Sequence, residues 1–184
     1  MVSFFSGSEI LLPMLDELKM CWLRYGIDLK FESIFSAEID DWKRERIIRL
    51  HGPKHAYEDV VEVSKAKWTG HDYIVGGDTE VERPDILWVG FECDSVSGLN
   101  MQKTQREADA CVGLNTLRTG TTANATLLFI CEKRPTISIL ENVKTIGRQN
   151  IQAITKILNR HGFVMHPIYL EAFSTYLCYP CCRE

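Results

Sequence analysis

Short runs that read as strands alternate with stretches of helical spacing along most of the chain. This alternation restricts the fold more than any single motif does. Val2-Ser3-Phe4-Phe5 is β-prone and stops at Ser6-Gly7-Ser8. Leu11, Met14, Leu15, Leu18, Trp22 and Tyr25 then recur at helical spacing, and Gly26 supplies a stop. Phe31 to Ala37 reads as a second strand. Asp40 or Asp41 caps a helix through Trp42, Ile47, Ile48 and Leu50, which Gly52-Pro53 ends. Asp85 to Phe91 (Asp-Ile-Leu-Trp-Val-Gly-Phe) is a buried strand by composition. Ala123 to Glu132 reads as a helix and Thr136 to Leu140 as a strand. Ile146 to Arg160 is an amphipathic helix stopped by Gly162, and Val164 to Ala172 reads as a last strand. The order predicts an α/β fold: a doubly wound, mostly parallel sheet with helices on both faces.

Two stretches resist this reading. Residues 53–84 are polar; Tyr57 to Ala66 reads as helical, and Tyr73-Ile74-Val75 as a short strand or a loop. Residues 94–120 scatter Ser, Gly, Asn and Thr, and a connection of that length is usually functional or mobile.

The length of 184 residues suits one domain, and no repeat or low-complexity linker divides it. Hydrophobic residues at 45% argue against wholesale disorder. The formal charge of −4 argues mildly against a domain that holds nucleic acid by a broad basic face. No run of 18 apolar residues occurs, so no membrane span is expected, and the first residues do not read as a signal peptide. Seven cysteines without a secretory signal favour reduced thiols in an intracellular protein. Cys178, Cys181 and Cys182 invite a metal reading, but the other cysteines are scattered and the five histidines do not cluster. No metal is expected.

In a doubly wound sheet, ligands bind beyond the carboxyl ends of the strands. Gly7 permits a tight turn before a helix, which lets backbone approach a cofactor; a plain turn explains it equally. Glu38 can accept hydrogen bonds from ribose hydroxyls or cap a helix. Cys93 follows the Asp85 strand and is either a nucleophile or a small buried hydrophobe. Glu141 ends the Thr136 strand and is either a functional carboxylate or an N-cap. Lys43, Arg44, Arg46 and Arg49 form a basic helical segment, usually a solvated face but here the best local candidate for a phosphate contact.

Taken in order, these strand ends resemble the cytosine-5 DNA methyltransferase family. Phe5-Ser6-Gly7-Ser8 resembles its opening Phe-x-Gly-x-Gly turn, and Ala37-Glu38-Ile39-Asp40 the acidic segment that holds the cofactor ribose. Gly77-Asp78-Thr79 resembles the Gly-Asp-Ile segment whose Asp meets the adenine amino group. Gly90-Phe91-Glu92-Cys93-Asp94-Ser95-Val96-Ser97 looks like the Gly-Phe-Pro-Cys-Gln-x-x-Ser motif, and Leu140-Glu141-Asn142-Val143-Lys144 matches the Glu-Asn-Val motif. Arg118-Thr119-Gly120-Thr121 is similar to the segment before the next helix. Pro180-Cys181-Cys182-Arg183-Glu184 looks like the start of Pro-Gln-x-Arg-x-Arg.

The resemblance implies a Rossmann-like, S-adenosylmethionine-dependent methyltransferase fold, incomplete in this chain. Residues 1–184 would be a partial catalytic domain without the target-recognition region. It implies S-adenosylmethionine as cofactor, with Phe5, Ser6, Gly7, Glu38, Ile39 and Asp78 around it. It implies DNA as substrate and a nuclear location in a eukaryote. Cys93 would add to carbon 6 of a flipped-out cytosine, Glu141 would hold N3, and the loop 94–120 would close over the base. The motif's Pro and Gln are replaced by Glu92 and Asp94, and two carboxylates beside a thiol work against a ready thiolate. A non-catalytic methyltransferase-like scaffold and a transfer-RNA cytosine-5 methyltransferase are the alternatives.

Overall fold

The computed structural model describes residues 2–4, 11–93, 96, 112 and 118–169. Seven strands and five α-helices follow one another in them. They are β1 (Val2–Phe4), α1 (Leu11–Leu23), β2 (Phe35–Ala37), α2 (Asp41–His51), β3 (His55–Tyr57) and α3 (Val60–Lys65). Then come β4 (Thr69–Asp72), β5 (Gly77–Glu80), β6 (Ile86–Gly90), α4 (Arg118–Lys133), β7 (Ile137–Glu141) and α5 (Arg148–Arg160). A 3-10 turn at Lys144–Ile146 precedes α5.

Five strands form one sheet in the order β3-β2-β1-β6-β7, and every pair is parallel. The chain builds outward from β1 to β3, then crosses to the other side of β1 for β6 and β7. That reversal is the switch point of a doubly wound sheet. The architecture is compatible with a Rossmann-like fold.

Burial alternates along β6 with the period of two that a strand imposes. Leu87 and Val89 are fully buried in a core with Phe35, Phe129, Ile130, Ile154 and Leu158. Ile86 and Trp88 point the other way and pack with Leu15 of α1. Helices thus cover both faces. Register pairs Ile86 with Ile137 and Trp88 with Ile139, so β7 continues the α1 face; its two isoleucines stand exposed there. In the main core Phe35, Tyr57, Trp68 and Phe129 meet edge to face at centroid separations of 5.0–6.0 Å.

Most expected boundaries hold. Asp40 caps α2 by accepting the Lys43 N–H, and Gly52 ends it in the left-handed conformation at φ 51°. The second strand is shorter than expected: only Phe35–Ala37 is strand, although the Ser33 and Ile34 carbonyls accept the Lys54 and His55 N–H groups at 3.1 and 3.0 Å, and α4 begins five residues before Ala123. Residues 53–84 differ more. The expected helix over Tyr57 to Ala66 is split: His55–Tyr57 is a strand paired with β2, and only Val60–Lys65 is helical. Tyr73-Ile74-Val75 is the turn of an antiparallel hairpin, β4–β5. The expected strand at Val164 to Ala172 has no strand pairing over 164–169, and its remainder lies outside the described residues.

Candidate active site

The carboxyl edge of the parallel sheet gathers most of the singled-out residues that are described. Glu38 follows β2 directly and is 5% exposed. Its backbone N–H donates to the Tyr57 carbonyl at 3.1 Å, extending the β2–β3 pairing by one residue. One carboxylate oxygen accepts the Asp40 N–H at 3.1 Å. Arg44, buried despite its charge, donates from Nη1 to the Glu38 carbonyl at 2.8 Å. Its other terminal nitrogen pairs with Asp41, and the Tyr73 ring lies over its guanidinium at 4.0 Å. Tyr73 in turn donates its hydroxyl to Glu58 at 2.6 Å, just past the end of β3.

The basic segment of α2 is therefore not one free face. Arg44 is a buried brace, Lys43 approaches Asp40 at 4.0 Å, and Arg46 stacks over Trp42 at 5.7 Å. Ile39, beside Glu38, is largely exposed at the edge.

Asp72 is the polar residue that the sequence reading missed. It is fully buried at the end of β4. His55 Nδ1 lies 2.6 Å from its carboxylate, and the N–H groups of Ile74 and Ala56 donate at 2.9 and 3.2 Å. Thr79 of β5 reaches it at 3.4 Å and also bonds the Tyr57 hydroxyl at 2.8 Å. Burial alone would raise the Asp72 carboxyl. The hydrogen bonds from His55, Ile74, Ala56 and Val75 outweigh it and hold the group below its ordinary value. This one carboxylate thus staples the hairpin to β3.

Asp78 lies on that hairpin, not on the parallel sheet. Its side chain is 75% exposed, 3.9 Å from His71. Two acidic residues follow β3: exposed Glu58, bonded to Tyr73, and Asp59, which caps α3 by accepting the Val61 N–H at 2.7 Å.

On the other side of the switch point, β6 leads through Phe91 and Glu92 to Cys93. The thiol is half-buried and packs against the main core. The Cys93 carbonyl accepts the Val96 N–H at 2.9 Å. Glu141 ends β7 in register with Gly90 and is exposed. The next residue, Asn142, donates from Nδ2 to the Phe91 carbonyl at 2.9 Å, and its Oδ1 accepts the Val143 N–H. That bond ties the end of β7 to the segment that carries Cys93. Cys93 and Glu141 therefore leave adjacent parallel strands at the same edge.

Of the loop 94–120, Val96 and Val112 are described before α4 begins, and both are buried in the core. The Val112 N–H donates to buried Asn150 of α5 at 3.2 Å. Phe5, Ser6, Gly7, Cys111, Cys178, Cys181 and Cys182 lie outside the described residues. Among the described residues no group of three His, Cys, Asp or Glu is placed to hold a metal, and no helix is long and apolar enough to cross a membrane.

Sheet order and strand-end residues define a class: an α/β chain with acidic residues beyond β2 and β3, a thiol three residues beyond β6 and a carboxylate at the end of β7. No family model matches the chain. It is 33% identical over 140 residues, 75% of its length, to the DNA (cytosine-5-)-methyltransferase DMT5 of Cryptococcus neoformans var. grubii. The chain spans 6% of that protein's length. The match supports a relationship to DNA cytosine-5 methyltransferases at the level of sequence.

Proposed function

We propose that residues 1–184 belong to a DNA cytosine-5 methyltransferase catalytic region, with S-adenosylmethionine as cofactor. One observation carries the reading. β6 and β7 pair Gly90 with Glu141, and Cys93 follows Gly90 by three residues, so the two matching motifs leave neighbouring strands at the same edge. The likeness to the fungal DNA methyltransferase supports the same choice of reaction.

The cofactor's donors are ribose hydroxyls and an adenine amino group. Buried Glu38 and neighbouring Asp59, at the ends of β2 and β3, are carboxylate acceptors of matching chemistry. Asp59 stands at this edge where Asp78 does not. Phe5, Ser6 and Gly7, which follow β1 in sequence, would line the cofactor, and Ile39 would flank the ribose. When bound, the cofactor supplies an electrophilic methyl group on a sulfonium.

The protein's own part falls to two side chains. The Cys93 thiolate adds to carbon 6 of an extruded cytosine, forming an S–C6 bond and moving the C5=C6 electron pair toward C5. Glu141 holds a proton at N3 and stabilises the charge that develops on the ring. With the methyl group on carbon 5 and S-adenosylhomocysteine released, a base, for which solvent water suffices, would take the carbon 5 proton; the C–H pair reforms C5=C6 and expels the Cys93 thiolate. Glu92 beside the thiol is half-buried, so an acidic side chain accompanies the nucleophile.

The test is transfer of labelled methyl from S-adenosylmethionine to cytosine in duplex DNA. The full chain should label DNA, and Cys93→Ser and Glu141→Gln should each lower the rate at least about a hundredfold. Equal labelling by Cys93→Ser overturns the mechanism.

A further inference from the structure

We propose that the exposed ridge Arg148, Gln152, Lys156 and Arg160 of α5 seats the phosphate backbone of duplex DNA. The inference rests on the reading of DNA as substrate and names where the duplex is held.

Charge is segregated along the chain. From Asn142 to Tyr169 there is no Asp or Glu, while Lys144, Arg148, Lys156 and Arg160 supply four positive charges. The net charge of −4 thus divides into +4 here and −8 elsewhere. The four ridge residues are spaced i, i+4, i+8 and i+12. At 1.5 Å per residue they form a row about 18 Å long with a donor side chain every ~6 Å. All four are exposed, because Asn150, Ile154 and Leu158 turn the opposite face of α5 into the core. Among the described residues, no ion pair engages Arg148, Lys156 or Arg160.

A shallow, open hollow of about 500 Å³ lies over the C-terminal part of the ridge, lined by Gln152, Thr155, Lys156, Asn159 and Arg160. None of the five is aromatic or aliphatic. The centre of a protein–protein interface is enriched in aromatic residues and depleted of Lys. A duplex presents a negative charge every ~1.7 Å of axis, and cations and amides are the groups that contact it without reading sequence. Arg148 lies seven positions after Glu141, so the ridge starts near the reactive edge.

The test compares the full chain with Arg148→Gln/Lys156→Gln/Arg160→Gln, all on the solvent face. Binding to a duplex of arbitrary sequence is followed by fluorescence anisotropy across a salt series. The variant should bind at least tenfold more weakly at low salt, and its log–log salt slope should shrink by about 2.7, three phosphate contacts' worth. Calorimetry with S-adenosylhomocysteine should be unchanged, which separates this result from loss of the fold. Unchanged DNA affinity and slope in the variant overturn the ridge and leave the proposed reaction standing. Absence of duplex binding by the parent overturns both. Displacement by polyglutamate as effective as by DNA of equal charge assigns the ridge to an acidic protein instead and overturns the proposal.

Discussion

The two sides of the sheet's carboxyl edge are built differently. On the β2–β3 side the carboxylate is buried and braced. Arg44 grips the Glu38 carbonyl, Tyr73 covers Arg44, and Asp72 pins the hairpin that carries Tyr73. On the β6–β7 side the thiol is half-buried, the carboxylate is exposed, and one Asn142 side chain ties the two strand ends together. Under the proposed function the first side would hold the cofactor and gain from rigidity, since a preformed site loses little entropy on binding. The second would admit an extruded base and stay open until it arrives.

Substitutions should separate the two sides. The largest effect is expected at Asp72. Asp72→Asn removes a charge that several donors hold in a buried site, and should cost about 2–3 kcal/mol in urea unfolding. Glu141→Gln, exposed, should change stability by less than about 0.5 kcal/mol. Equal costs would erase the contrast.

The same carboxylate sets an acid dependence. Its folded-state pKa lies below the ordinary 3.8. Its stabilisation is therefore complete above the ordinary value and fades as pH falls through the lowered one. Asp72→Asn should lose that part of the acid slope in unfolding measured between pH 5 and pH 2.

Next comes Arg44. Arg44→Met removes the brace on Glu38 and should weaken S-adenosylhomocysteine binding by about tenfold, near 1.4 kcal/mol in calorimetry. Cys93→Ser should leave that affinity unchanged, because the thiol belongs to the other side.

Asn142→Ala deletes the side-chain bond to the Phe91 carbonyl, worth about 1 kcal/mol. It should slow methyl transfer more than it weakens cofactor binding. The smallest contrast is between two carboxylates. Asp59→Ala should reduce cofactor affinity a few-fold, whereas Asp78→Ala, on the exposed hairpin strand, should not. The reverse order would return the adenine contact to Asp78.

The legible parts of the chain were those with strong local signals. Asp85 to Phe91 and Thr136 to Leu140 carry enough branched and aromatic side chains to read as strands, and their carboxyl ends led directly to Cys93 and Glu141. Asp40 and Gly52 delimit α2 by capping chemistry that local sequence carries. The segment 53–84 was not legible, for a physical reason. His55–Tyr57 is three residues long and is a strand through pairing with β2. The hairpin strands, Thr-Gly-His-Asp and Gly-Asp-Thr-Glu, have no apolar face. They are held by a buried carboxylate whose donors lie up to 17 positions away, a long-range arrangement that no local pattern announces. Arg44 was misleading in the same way: a charge on a basic helix looks solvated until a carbonyl six residues earlier turns out to need it. Asp78 matched a motif by composition; it stands on the exposed hairpin, while Glu58 and Asp59 are the acidic residues that follow β3 at the sheet's carboxyl edge.

The central claim is that Cys93 forms a covalent bond to the cytosine ring. Duplex DNA containing 5-fluorocytosine traps that bond, because fluorine cannot leave carbon 5 as a proton does. With S-adenosylmethionine present, the full chain should yield a denaturation-resistant adduct that mass spectrometry assigns to Cys93, and Cys93→Ser should yield none. An adduct that persists in Cys93→Ser, or none from a chain that binds both cofactor and duplex, would contradict the account.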